Sequence, residues 1–146
     1  MVWATKRIKY SSILLLVVLA AACLTGISYL AATAPMPYEL EYIGMSSADI
    51  LNFNPNLHNL IVILMKTVGA YILLLCFWGM TTTLIPFRRG ERWAWISLFV
   101  FGSMYAIAGS VALFSTGGWL KWVALAQTAL FLVAMLIPVQ DFFRKK

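Results

Sequence analysis

Four stretches of this chain, at about 11–33, 59–85, 94–114 and 119–138, run on with almost no charge, and basic residues are clumped beside them. No other feature limits the fold so tightly. Each run is long enough, at about 1.5 Å per residue, for a helix to cross the ~30 Å hydrocarbon layer of a bilayer. Lipid offers no partner to a free backbone N–H or C=O, so such segments must be helical. The chain is 62% hydrophobic and 11% charged, too few charges to build the polar shell of a soluble fold. The expectation is an all-α protein, a four-transmembrane-helix bundle forming a single integral membrane domain over 1–146.

The net charge of +6 does not point to nucleic acid, because of where the charges fall. Nine of the eleven Lys and Arg residues lie before the first run (Lys6, Arg7, Lys9), between the second and third (Arg88, Arg89, Arg92) and at the C-terminus (Arg144, Lys145, Lys146). With four spans those three regions share one side, and basic residues are retained on the cytoplasmic side. Both termini are therefore expected to be cytoplasmic, in a multi-pass protein of the inner or plasma membrane. The opposite side receives the 34–58 loop, with Glu39, Glu41 and Asp49, and the short turn Ser115-Thr116-Gly117-Gly118.

The segment PFRRGERWAW (86–95) reads as the cytoplasmic turn between the second and third spans. Pro86 and Gly90 punctuate the helices. Arg88, Arg89 and Arg92 act as anchors, Trp93 and Trp95 suit the membrane interface, and Glu91 is placed to pair with an arginine. Arginine also matches phosphate geometry, which keeps a lipid-phosphate or partner site open there. The basic start and Ala32-Thr33-Ala34 of the first run resemble a signal peptide with its cleavage site, and Ala20-Ala21-Ala22-Cys23 resembles a lipoprotein one. The segment is nonetheless read as a retained span.

Together, YIGM (42–45), NPNL (54–57) and the GERWAW turn resemble small, uncharacterised four-helix membrane proteins of prokaryotes, broadly similar in layout to the DoxX-like group. The likeness covers roughly residues 35 to 110. It implies the fold and topology and brings no reaction.

Few residues invite chemistry. Cys23 and Cys76 form no C-x-x-C pair, so each reads as a small apolar residue within a span. His58, the one histidine, lies where Asn54 and Pro55 signal a helix start. With Glu39, Glu41 and Asp49 nearby it is a weak metal candidate, and a lone imidazole is a poor basis for a site. Lys66 sits about two turns into the second span, where a bare ammonium is expensive in lipid; it either snorkels to headgroups or faces a polar cavity. By depth, Lys66, Tyr29, Tyr71, Tyr105 and Gln127 fall together with Ser28, Thr67 and Ser110 in the outer half. With Glu39, Glu41 and Asp49 above them they make a candidate ligand pocket.

Gly102, Ala106 and Gly109 give the third span a face that another helix can approach closely, and Thr81-Thr82-Thr83 is expected to bond back to its own helix. No carboxylate falls within any span, and no nucleophile–base set can be assembled. The functional expectation is a small non-catalytic subunit of a larger membrane complex, with no cofactor and no nucleic acid. Its partners would be the lipid bilayer and other membrane subunits or a second copy. The alternative is a binding or carrier protein for a lipid, quinone or other lipophile.

Overall fold

The computed structural model describes residues 4–116 and 120–143. Gly117 and Gly118 of the expected turn, Trp119 at the head of the expected fourth span, and the basic cluster Arg144, Lys145 and Lys146 lie outside the described residues. The described chain is all-helical. Its elements are α1 (Lys6–Ala31), α2 (Pro37–Ile43), α3 (Ser47–Phe53), α4 (Pro55–Leu84), a 3₁₀ turn (Phe87–Arg89), α5 (Arg92–Thr116), α6 (Leu120–Leu136) and α7 (Val139–Phe143). Three of the helices are long and apolar enough to cross a membrane, at Lys6–Ala31, Pro55–Arg89 (α4 with the turn that follows it) and Arg92–Ser115. The apolar helix α6 is shorter, with 17 residues. Large side chains such as Leu24, Phe77, Met104, Ile107 and Leu136 stand outward and exposed. That surface suits hydrocarbon and not water.

The 34–58 segment, read from sequence as a loop, contains two short helices. Their ends show why. Pro37 opens α2 and the Glu39 carboxylate accepts from the Met36 N–H at 3.0 Å. Gly44 closes α2 in the left-handed region, φ 73°. In α3, Ser46 and Asp49 form a reciprocal capping box: Ser46 Oγ accepts from Asp49 N–H at 3.1 Å and Asp49 accepts from Ser46 N–H at 3.0 Å. Hydrogen bonds from the Ser46 hydroxyl and backbone hold the Asp49 carboxyl below its ordinary value. This cap is intact above the unfolded value and weakens as pH falls through the depressed one. Asn54 then caps α4 through Oδ1, accepting from Asn56 and Leu57 N–H, with Pro55 at the first helical position.

Packing begins with α1 against α4, antiparallel. The buried residues of α4 (His58, Met65, Gly69, Ile72, Cys76, Gly79 and Thr83 among them) recur at alternating steps of three and four, with a skip after His58. That is the spacing of a single interhelical seam. Three glycines set the separation. A Cβ on Gly69 would stand 2.8 Å from the Gly26 carbonyl oxygen and from Tyr29 Cβ. One on Gly79 would stand 2.8 Å from Leu19, and one on Gly26 3.0 Å from Leu73. Lipid-exposed helices gain no hydrophobic force by meeting, so close backbone approach must supply the contact.

A denser core gathers at the end carrying Lys6 and the 86–92 turn: Ile8, Leu15, Phe87, Ala94, Leu98, Phe131, Ala134, Met135 and Phe142. The α6 helix lies antiparallel between α1 and α5. Ser11 Oγ donates to the Ala134 carbonyl, and Trp95 Nε1 donates to the Met135 carbonyl at 2.9 Å. Gly102 of α5 admits Phe131, whose ring a Cβ would meet at 2.4 Å. On the far side α4 touches α5 through Trp78 and Phe101, ring centroids 5.1 Å apart.

Gly69→Leu is expected to prise α1 from α4 and cost about 1–3 kcal/mol, read as an earlier unfolding midpoint in detergent–SDS mixtures. Gly44→Ala meets no neighbour and costs only its left-handed backbone, about 1 kcal/mol. If the Gly69 variant unfolds no earlier than the Gly44 one, the seam does not control stability.

Candidate functional site

The sequence-derived pocket divides into groups that meet and groups that do not. Lys66 and Tyr71 fall off the buried seam of α4 and stand exposed on its outer surface. Among the described residues Lys66 makes no ion pair with Glu39, Glu41 or Asp49, the single ion pair being Arg89–Glu91. Glu39 and Asp49 are occupied in capping their own helices, and Glu41 is exposed. Gln127 is half-buried on α6. His58 is buried against α3, its Nε2 3.0 Å from Ser47 Oγ, which pins the start of α4 to α3. Among the described residues no cluster of metal-ligating side chains forms.

Tyr29 and Tyr105 do converge. They pack, with Cys23, against the buried group Ala22, Ile72 and Cys76, so that α1, α4 and α5 each contribute. The Tyr29 hydroxyl hydrogen-bonds the Tyr38 hydroxyl and ties α2 to the end of α1. Burial first, and then the Tyr29 hydroxyl, hold the Tyr38 phenol well above its ordinary value of 10.0. The fold therefore favours protonated Tyr38. This contribution is complete below the unfolded value and is lost as pH rises through the raised one.

Sequence reasoning missed the part the cysteines play here. Cys23 and Cys76, read as two unrelated apolar fillers, lie side by side across the α1–α4 seam. Cys76 Sγ donates to the Leu19 carbonyl at 3.5 Å, one turn before Cys23. The available signal was their placement on the seam: Cys76 follows the Gly69 spacing, and Cys23 lies between Leu19 and Gly26, which both face α4.

A second feature is an apolar groove of about 340 Å³ between α4 and α5, lined by Leu74, Leu75, Trp78 and Phe101. It has the dimensions of a small-ligand cleft without the polar groups that would orient one.

The PFRRGERWAW turn is a structural knot. Phe87 is fully buried against Phe142, centroids 4.9 Å apart, and the Arg88 carbonyl accepts from Ala4 N–H at 3.2 Å. Arg92 Nε donates to the Phe142 carbonyl at 2.8 Å, satisfying the end of α7. Trp95 turns inward, stacked on Phe99, while Trp93 is exposed and donates to Glu91 at 2.7 Å. The Arg89–Glu91 pair, at 3.9 Å and exposed, adds little stability. Of the hydroxyls at the end of α4, Thr81 bonds back to Phe77, whereas Thr83 Oγ1 is buried without a hydrogen-bond partner.

Comparison with protein-family models, with curated proteins and with solved structures found no match.

Tyr29→Phe is expected to loosen α2 from the end of α1, read as faster amide hydrogen exchange across Pro37–Ile43. Unchanged exchange would mean that the two hydroxyls do not meet.

Proposed function

We propose that this chain is a small non-catalytic membrane subunit, crossing the bilayer four times with both termini cytoplasmic. In this reading α6 joins α1, α4 and α5 as a short span over which the bilayer thins locally, and the arginines of the 86–92 turn hold that turn inside. The observation that carries the subunit role is the open side of α5. This helix packs on α6 through Gly102 in its first half, but a Cβ at Gly109 would meet nothing within 4 Å among the described residues. On the opposite side of the same helix Met104, Ile107 and Val111 form an exposed apolar stripe. The small residue with room beside it on one side, and the apolar stripe on the other, each offer a surface to another transmembrane helix. The likeness to the DoxX-like layout belongs to the same proposal and rests on residues 35 to 110.

The α4–α5 groove favours a second reading, a carrier or binding protein for a lipid, quinone or other lipophile. An acyl or isoprenoid chain fits walls made of Leu74, Leu75, Trp78 and Phe101. Lys66 then serves at the surface, reaching headgroups by snorkelling.

Native mass spectrometry of protein extracted gently from its own membrane separates the two. Stoichiometric protein partners are expected, and Gly109→Leu should remove them while leaving the unfolding midpoint unchanged. Gly102→Leu, by contrast, should lower that midpoint through its clash with Phe131. A lone chain carrying a defined lipophile, lost in Trp78→Ala, would replace the subunit reading with the carrier one.

A further inference from the structure

The two cysteines of the chain are 53 residues apart in sequence and meet across the helix seam. The geometry around them is unusually close. To one side, Gly26, one turn from Cys23, and Gly69, two turns from Cys76, bring the backbones of α1 and α4 into contact; one turn to the other, Gly79 accepts Leu19. Cys23 and Cys76 occupy the level between these two approaches, where the helix axes have no room to diverge. A disulfide needs Cα atoms roughly 4.4–6.8 Å apart, a separation that helices reach only where small residues let them touch.

The sulfurs are also differently placed. Cys76 is buried and donates its S–H to the carbonyl of Leu19, one turn of α1 before Cys23. Cys23 is only half-buried and is the one a reagent reaches first. The phenols of Tyr29 and Tyr105 stand beside the pair. A charged oxidant does not enter such surroundings, whereas a neutral one does.

We propose that Cys23 and Cys76 form a reversible redox pair that closes to an interhelical disulfide when a hydroperoxide reaches the bundle. The Cys23 sulfur attacks the terminal peroxide oxygen and the O–O bond breaks. The remaining oxygen takes up the thiol proton and leaves as water or an alcohol, and Cys23 becomes a sulfenic acid. The Cys76 sulfur then attacks the Cys23 sulfur, and the S–O bond breaks. The departing hydroxide takes the Cys76 proton as water. Two thiols lose two electrons, one peroxide gains them, and a disulfide reverses the change by exchange with an external thiol. Closed, the bond fixes α1 to α4 at the level of Tyr105 and so links oxidation to the packing of α5.

The test uses wild-type protein in its native membranes, exposed either to hydrogen peroxide or to vesicles containing a phospholipid hydroperoxide. Samples are then denatured in N-ethylmaleimide and weighed as intact chains. Untreated protein should carry two maleimides. Oxidised protein should carry none, at a mass lower by two hydrogens than the reduced chain, with both sites restored by dithiothreitol. Closure by hydrogen peroxide indicates a diffusible source; closure by the lipid hydroperoxide alone indicates a membrane-borne one. Two maleimides retained under both oxidants, or mass added as oxygen without closure, would overturn the proposal. In Cys76→Ser the sulfenic acid should persist on Cys23 and be captured by dimedone. A closing wild type with no such capture would overturn the order of attack assigned to the two sulfurs.

Discussion

The approach of α1 to α4 at Gly26, Gly69 and Gly79 is the contact on which the rest of the structure depends. In water, apolar helices associate because their surfaces leave the solvent. Between helices of this composition that force is missing in lipid, and dispersion over a tight, continuous seam must take its place. A side chain at any of these glycines would widen the seam and loosen everything fixed by it. The cysteine pair, the Tyr29–Tyr38 link that seats α2 and the line of contact offered to Tyr105 all follow from that one separation.

The two ends of the bundle are held by different means. At the end with the arginine turn, aromatic and aliphatic side chains interlock around Phe87 and Phe142. Polar groups there finish backbone ends: Arg92 on Phe142, Trp95 on Met135, Ser11 on Ala134. At the other end the contacts are local caps and single hydrogen bonds, such as Ser46 with Asp49 and Ser47 with His58. The first is an interior; the second is a set of latches. Motions that admit a ligand or oxidant therefore cost least at the α2–α3 end.

Much of the helical layout was legible in the sequence. Run length and hydropathy mark α1, α4 and α5, and Asn54-Pro55 marks the start of α4, because these are local properties of the chain. The short helices α2 and α3 were less visible, although Ser46 and Asp49 stand at capping-box spacing. The candidate pocket was half legible. Depth along a span follows from residue number, and Tyr29 and Tyr105, which it sets at neighbouring levels, pack against one buried group. Facing was not used, and it separates Lys66 and Tyr71 from them: the seam Gly69, Ile72, Cys76 passes on the other side of α4. The pairing of Cys23 with Cys76 required the register between two helices. Nothing local encodes that register, since it is set by which glycines meet.

The Ser11 hydroxyl, whose partner is the carbonyl of residue 134, implies an order of events during synthesis. At about 10 residues per second, the ribosome delivers that carbonyl on the order of 10 s after α1. For about the last 5 s of that interval, once α4 has been made, α1 and α4 can already close on each other, but Ser11 must borrow an acceptor from its own helix or from water at the membrane edge. Thr5 and Arg7 wait in the same way for Asp141 and Gln140. The early helices are thus an adhesive pair with an unfinished polar rim, and the late-arriving α6 and α7 act as the clasp. A nascent chain stalled before residue 134 would present to its surroundings a seam already formed and a row of hydroxyl and guanidinium groups still seeking partners.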